Sequence, residues 1–152
     1  MKSESKINNE MRLTFPSLSC NEAFARAAVG AFASAMDPTL EELSDIKTAV
    51  SEAVTNCIVH GYPDHIGTVE LKCRILDWYT LEIIVSDQGV GIPDINKARE
   101  PMYTTGGEER SGMGFTIMER FMSHLDVISV PGQGTTVTMV RKLRKDGQYR
   151  EP

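Results

Sequence analysis

Two pairs of alternating segments, each joined by a short turn, constrain this sequence more than any other feature. In the first pair, apolar and polar residues alternate over 69–75, and a second strand-like segment follows over 81–86. In the second pair, the segments 125–130 and 135–140 are separated only by 131–134, which read Pro-Gly-Gln-Gly. Alternation is typical of half-buried strands, and turns this short join only antiparallel neighbours. The sequence therefore predicts two β-hairpins.

A helix is predicted between the N-terminal region and the first hairpin. The pattern Ser19-x-x-Glu22 is a capping box, in which two side chains satisfy the first N–H groups of a helix. The helix is expected to continue to about Met36, because Asp37-Pro38 disfavours a further turn. Its apolar stripe is predicted to bury Phe24, Ala28, Ala31, Phe32 and Ala35, with Arg26 pointing almost directly away from that stripe.

A second capping box, Thr39-x-x-Glu42, predicts another helix, which Gly61 ends as a C-cap. At about 100° per residue, this helix carries two faces. Its core face is predicted to contain Leu43, Ile46, Val50, Ala53, Val54 and Cys57. A separate stripe, roughly 110–120° around from the core face, contains Asp45, Ala49, Glu52, Asn56 and His60, and its position at the edge of the buried face suits a helix that lines a pocket.

The remaining elements complete an α+β fold. A short strand is expected over 11–15 and a third helix over 114–124, with Met118, Phe121 and Met122 on its core side. The order predicts a two-layer sandwich, a mostly antiparallel sheet with helices on one face. A doubly wound parallel sheet is disfavoured by the tight turns. We expect a flexible N-terminus over 1–10, one domain over 11–142 and a polar C-terminal tail over 143–152.

Composition excludes several classes of function. The chain has 152 residues, with 16 basic and 21 acidic side chains and a net charge of −5. This balance argues against direct nucleic-acid binding, which favours a basic face. No stretch approaches the ~18 apolar residues of a membrane span. The three cysteines are widely spaced among apolar residues, which predicts buried thiols in a reducing cytosol.

Glu52-x-x-x-Asn56 is the first pattern that carries chemistry. The two residues lie one turn apart on one helix face. The Asn56 side-chain oxygen suits Mg²⁺, which keeps several of its waters when bound. The Glu52 carboxylate can accept a proton from an attacking hydroxyl. A solvated helix face is the alternative interpretation of this pair taken alone.

Two glycine-containing patterns follow strand-like segments. In Asp87-x-Gly89-x-Gly91, a carboxylate can accept a hydrogen bond from an exocyclic amino group, and the glycines allow backbone to approach a flat ring. A tight turn with an Asx cap is the alternative here. The second pattern is Gly134-Thr135, whose threonine is either a ligand contact or a strand residue without a role.

A phosphate site is predicted where the third helix begins. The N–H groups of Ser111-Gly112-Met113-Gly114 and the helix dipole together favour an anion. A plain helix start is an equally good interpretation of the GxG alone. Arg110 directly precedes this loop, so its side chain could reach a γ-phosphate. Its permanent positive charge suits that contact.

The order and spacing of these patterns resemble the GHKL (Bergerat) ATP-binding fold. The segments SEAVTNCIVHGY, SDQGVGIPD and ERSGMGFTIMERFM further resemble the sporulation branch of the anti-sigma-factor serine kinases, over about residues 10–142. This resemblance implies that Asn56 holds Mg²⁺ and that Glu52 is the general base. It also implies that Asp87 reads the adenine amino group of ATP or ADP and that Thr135 contacts adenine, often through water.

The same resemblance implies two protein partners. One is a sporulation sigma factor of RNA polymerase, which the protein binds and inhibits, and the other is an anti-anti-sigma protein that it phosphorylates on serine. A homodimer is implied as well, and Arg26 matches a partner-contact position. The segment 103–109 departs from the family pattern because it carries no lysine, which puts phosphate contacts from this loop in doubt. A stress-response branch kinase and a binding-only module are the alternatives.

Overall fold

The computed structural model describes residues 6–100 and 114–143. Groups of helices and pairs of strands follow one another along this part of the chain, as in α+β proteins. The elements are β1 (Ile7–Pro16), α1 (Cys20–Ala33), a 3-10 turn (Ser34–Met36), α2 (Leu40–Asn56), a π-helical turn (Cys57–Gly61), β2 (Thr68–Leu76), β3 (Thr80–Asp87), α3 (Ile95–Ala98), α4 (Gly114–Phe121), β4 (His124–Val130) and β5 (Gly134–Lys142).

The five strands form one antiparallel sheet in the order β1-β2-β3-β5-β4. Both predicted hairpins are confirmed, since β2 pairs with β3 and β4 pairs with β5. One face of the sheet is buried in a layered core with the helices, which confirms the predicted α+β class. The buried face of the central strands consists of Val69, Leu71, Cys73, Ile75, Leu81, Ile83 and Val85.

The first strand begins at Ile7, earlier than the predicted 11–15, so the flexible N-terminus expected over 1–10 is wrong for 7–10. The turn between β2 and β3 explains the difference. Asp77 and Trp78 adopt left-handed φ values of 52° and 62°, and the residues beside β1 stabilise them. The Trp78 N–H donates to the Asn8 side chain (2.8 Å), and the Lys6 N–H donates to Asp77 (3.0 Å).

The predicted buried stripe of α1 is wrong. Phe24 is 53% exposed, and Arg26 is exposed beside the buried face rather than opposite to it. Small residues allow α1 to approach α2 closely: a Cβ on Gly30 would lie 3.3 Å from the aliphatic stem of Lys47. Ala31 and Ala35 are exposed, Ala28 and Phe32 are half-buried, and the residues that face the core are Ala25, Val29, Gly30 and Ala33.

Only one of the two predicted capping boxes forms. The Thr39 hydroxyl accepts from the Glu42 N–H (3.0 Å), and the Glu42 carboxylate accepts from the Thr39 N–H (2.9 Å). Ser19 instead has helical dihedral angles (φ −55°, ψ −35°), and its side chain makes no capping hydrogen bond. An N-cap residue must be extended for its side chain to reach the next turn, which Ser19 is not.

This difference gives a matched pair of stability predictions. We expect Thr39→Ala to lower the free energy of unfolding by about 1 kcal/mol, the typical loss for an N-cap. Ser19→Ala should leave it unchanged, because no capping bond is lost. Urea unfolding followed by circular dichroism measures both variants. Equal losses in the two variants would contradict this account.

The core face predicted for α2 is confirmed, with Leu43 packed at its margin. Asp45, on the other predicted stripe, accepts a hydrogen bond from Arg141 of β5 (2.9 Å), and Arg141 also donates to the Phe121 carbonyl at the end of α4. α4 ends at Phe121 rather than at residue 124, because β4 begins at His124. The one-turn helix α3 over Ile95–Ala98 follows the glycine loop after β3.

Two of the three cysteines are buried as predicted, whereas Cys20 is exposed at the start of α1. Burial raises the pKa of the Cys73 thiol to about 12. None of the helices in the described ranges combines the length and the apolar character that a membrane crossing requires.

Candidate functional site

Glu52 and Asn56 lie one turn apart on α2 and contact the start of α4. A Cβ built on Gly114 would lie 3.3 Å from Oε2 of Glu52 and 3.4 Å from Oδ1 of Asn56. Both side chains are half-buried. The first N–H groups of α4, with the positive end of its dipole, therefore lie beside a carboxylate and an amide oxygen. This group of three residues is called the phosphate-side cluster below.

The helix does not end after Asn56 but widens into the π-helical turn over Cys57–Gly61. The Tyr62 N–H donates to the Cys57 carbonyl (3.1 Å), five residues earlier. Such turns are rare and are frequent at functional sites. This turn brings Gly61 against the Asp87 carboxyl group, where a Cβ on Gly61 would lie 2.8 Å from the carboxyl carbon.

Gly61 also contacts the backbone that follows β3. The Val90 N–H donates to the Gly61 carbonyl at 2.9 Å. A Cβ on Gly89 would lie 1.8 Å from that same oxygen. No side chain fits between the two backbones, so glycine at position 89 is a steric requirement of this contact.

Asp87 is the buried carboxylate of the site, 7% exposed at the end of β3. Its side chain accepts hydrogen bonds from the Gly89 N–H (2.9 Å), from the Cys57 thiol and from the Thr135 N–H. Burial raises the pKa of Asp87, and these three hydrogen bonds oppose the rise without cancelling it. The carboxylate is thus fixed in orientation while retaining acceptor capacity for a further donor.

The sequence predicts Cys57 only as a core residue of α2, and its contact with Asp87 is an additional finding. Burial, and then the nearby Asp87 charge, raise the pKa of Cys57 well above its usual value. The sulfur therefore stays protonated and serves as a donor to Asp87. Cys57 lies four residues before Gly61, a spacing that places both residues on one side of a helix. This spacing was the sequence signal that both would contact Asp87.

Thr135 lies directly opposite Asp87 in the β3–β5 register. Its hydroxyl is 2.8 Å from the hydroxyl of Ser129 on β4. The preceding Gly134 has φ +115°, and a Cβ there would lie 2.1 Å from the Asp87 carbonyl. Gly91 (φ +77°) lies against the Val130 carbonyl of β4, so the glycine loop is packed on the β4–β5 hairpin. Asp87, Gly89, Gly91 and Thr135 form what is called the base-side cluster below.

Tyr62 supports the base-side cluster through the residue that follows Asp87. It was not predicted as a site residue. Its buried hydroxyl accepts from the Gln88 N–H (2.7 Å) and donates to the Thr68 carbonyl (2.7 Å). It therefore joins the residue after Asp87 to the start of β2. The sequence signal was its place directly after the predicted helix cap.

The structure thus places the described site residues, apart from Arg26, in two clusters. The phosphate-side cluster lies where α2 contacts the start of α4, and the base-side cluster lies where the π-helical turn after α2 meets the end of β3 and the start of β5. Arg26 is not among them, since it is exposed on α1 and pairs with Glu22 at 3.6 Å. The remaining predicted site residues, Arg110, Ser111, Gly112 and Met113, lie outside the described residues, as does the segment 103–109.

Comparisons with known proteins agree on a family. Residues 15–141 match the model of the histidine kinase-like ATPase domain. The chain is 53% identical to an anti-sigma F factor of Caldanaerobacter subterraneus, covering 93% of this chain and 99% of the relative. It is 54% identical to that of Oceanobacillus iheyensis, covering 91% and 96%. It is 55% identical to that of Shouchella clausii, covering 89% and 93%.

Solved structures with low sequence identity share the fold. The RsbU and RsbW domains of a Mycobacterium tuberculosis protein superpose with a TM-score of 0.67 at 18% identity, covering 90% of this chain and 33% of that one. The histidine kinase domain of an Erythrobacter litoralis blue-light activated histidine kinase gives 0.58 at 23% identity, covering 83% and 66%. These similarities support the α+β ATPase fold.

Proposed function

The chain belongs to the histidine kinase-like ATPase domain family and, within it, to the anti-sigma F factors, and from this premise we propose that it is an ATP-dependent serine kinase that also inhibits a sigma factor. It binds a sporulation sigma factor of the sigma-F type and phosphorylates the anti-anti-sigma protein that opposes this binding. The single observation that carries the proposal is that one continuous helical segment contacts both clusters: α2 carries Glu52 and Asn56, and the π-helical turn that follows it brings Gly61 against Asp87.

The base-side cluster accounts for recognition of ATP and ADP. Asp87 offers a fixed acceptor to the amino group of adenine, and Gly89 and Gly91 allow the loop after β3 to pack closely on Gly61 and Val130 beside this carboxylate. A guanine base carries a carbonyl at the same position, which a carboxylate repels. The cluster therefore favours ATP over GTP.

The phosphate-side cluster accounts for the metal and the transfer step. A Mg²⁺ ion with nucleotide takes one or two protein oxygens and completes its shell with phosphate and water, which matches the lone amide oxygen of Asn56 beside α4. Bound Mg²⁺ would neutralise charge on the phosphates. Glu52 would accept the proton of the attacking serine hydroxyl, and Arg110 with the loop 111–114 would stabilise the transferred phosphoryl group.

A labelled-phosphate experiment tests the kinase proposal. The protein is mixed with γ-labelled ATP, Mg²⁺ and purified candidate anti-anti-sigma proteins, and the label is mapped to a residue. We expect label on a serine of one candidate, which would also identify the branch of the family. Confirmed ATP binding with no label on any candidate would contradict the kinase and favour a binding-only module.

The α1 surface supports a partner site. Arg26 is exposed and pairs with Glu22, at a distance and exposure that contribute little to stability. Phe24 is exposed on the same helix although it is a large aromatic residue, and such residues are enriched in interfaces. We assign sigma-factor and anti-anti-sigma binding to this helix, with a homodimer as the functional unit in the cytoplasm.

We expect Arg26→Ala to weaken partner binding at least tenfold, the range of a residue that dominates an interface, and to leave ATP affinity unchanged. Lys142→Ala removes an exposed charge at the end of β5 and is the matched control. Calorimetric titration with sigma factor and with anti-anti-sigma protein measures both variants. If the Arg26→Ala variant bound both partners with the affinity of the wild type, Arg26 would not belong to the interface.

A further inference from the structure

The Ser129 hydroxyl joins three backbone and side-chain groups at the edge of the base-side cluster. It accepts from the Ile92 N–H (2.7 Å), and it lies 3.1 Å from the Gly134 carbonyl oxygen and 2.8 Å from the Thr135 hydroxyl. The sequence pattern around Ser129 gives no sign of these contacts. Its contacts connect β4, the end of the glycine loop and the start of β5.

A proton count limits what these groups can do. A serine hydroxyl has one proton to donate and two lone pairs, and the Ile92 N–H occupies one lone pair. If Ser129 donates to the Gly134 carbonyl, then Thr135 must donate its own proton to Ser129. If Ser129 instead donates to Thr135, the Thr135 proton is free to point elsewhere.

The second arrangement matters for a purine base. Asp87 accepts from the amino group of adenine, and the ring nitrogen next to that group is an acceptor that needs a donor. Thr135 lies opposite Asp87 in the sheet register, on the same side of the cluster. A Thr135 hydroxyl that receives its hydrogen bond from Ser129 can supply that donor, directly or through one water.

We propose that Ser129 is a positioning residue for adenine recognition: it holds the Thr135 hydroxyl in the arrangement that donates toward the ring nitrogen beside the adenine amino group. This inference rests on the proposed nucleotide site. It concerns the half-buried hydroxyl pair of β4 and β5, which acts on the base through Thr135 and touches no phosphate.

The test compares two ligands that differ in one atom. In 1-deaza-ATP the ring nitrogen is replaced by C–H, while the amino group and the phosphates remain. We expect Ser129→Ala to weaken ATP binding roughly three- to tenfold, as for one neutral hydrogen bond, and to change 1-deaza-ATP binding less than twofold. A Thr135→Val background should remove the effect of Ser129→Ala on ATP, because the two changes interrupt the same path.

Ser86→Ala is the matched control, since Ser86 precedes Asp87 on β3 and lies on the opposite face of the sheet. It should bind both ligands as the wild type does. Equal weakening of ATP and 1-deaza-ATP by Ser129→Ala would overturn the inference in favour of simple support of the loop at Ile92, and unchanged ATP affinity would overturn it as well. A wild-type protein that binds neither ligand would instead overturn the nucleotide site itself.

Discussion

Glu52→Gln is expected to slow phosphoryl transfer strongly while ATP stays bound. Glutamine keeps the size and hydrogen-bonding reach of the side chain beside Gly114, but it cannot accept a proton at neutral pH. Loss of a general base typically slows a reaction by roughly 10²–10⁴-fold, so transfer to the anti-anti-sigma serine should fall within that range. Single-turnover transfer with labelled ATP measures the rate, and equilibrium titration measures nucleotide affinity separately.

Glu41→Gln is the matched control, because Glu41 is exposed in the first turn of the same helix. It should leave both the rate and the affinity unchanged. If Glu52→Gln transferred phosphate at the wild-type rate, Glu52 would lose the role of base. If transfer and ATP affinity fell by the same factor, the carboxylate would be acting on nucleotide binding instead.

Asp87→Asn is expected to weaken ATP binding without lowering the free energy of unfolding at pH 7. The amide cannot offer two acceptor oxygens to the donors around it and to an adenine amino group. A hydrogen bond to a charged partner is worth about 1.5–3 kcal/mol, so ATP affinity should fall by roughly 10- to 100-fold. Discrimination against GTP should weaken at the same time, because the carboxylate that repels the guanine carbonyl is gone.

The free energy of unfolding of the same variant should not fall along with its ATP affinity. Burial raises the folded pKa of Asp87 above 3.8, the ordinary value that applies to the unfolded chain. Between these two pKa values, the native state binds the proton more tightly than the unfolded chain does. The contribution of Asp87 to the wild-type free energy of unfolding is therefore fully present below pH 3.8 and decreases as pH rises through the folded pKa. Asp87→Asn should lose this decrease and unfold no earlier than the wild type at pH 7.

Nucleotide binding should show the matching pH dependence. Wild-type ATP affinity should fall on acidification through the raised pKa of Asp87, and the Asn variant should lack that component, which separates it from titration of the phosphates. Asp126→Asn, an exposed change on β4, should resemble the wild type in every measurement. An Asn variant with wild-type ATP affinity would remove Asp87 from base recognition.

The strands were predictable because their signals are local. Alternation over 69–75 and the short turns determine pairing without reference to the rest of the chain, and the Thr39 capping box likewise depends on four residues. The buried face of α1 was not predictable in this way. Phe24 is the stronger apolar residue, but close contact of α1 with Lys47 on α2 favours Gly30 and its small neighbours, and only tertiary packing decides this.

The residues of the candidate site also differ in whether their sequence signals are local. Helical periodicity predicts Glu52 and Asn56 on one helix face, and both lie beside Gly114. Asp87 is predicted as a binding residue because it ends an apolar strand before glycines. Cys57 and Ser129 were missed, since the contact of each depends on a non-local neighbour. Strand register brings Ser129 to Thr135, and the π-helical turn brings Cys57 to Asp87.

That turn has a consequence for how this protein can change over evolutionary time. An α-helix rotates by about 100° for each residue, so a wide turn amounts to one extra residue retained inside a helix. Point substitution alters the identity of a side chain but cannot add or remove that residue. The approach of Gly61 to Asp87 therefore depends on the length of the chain between Asn56 and Tyr62, and we expect an insertion or deletion there to disrupt it whichever residue is added or lost.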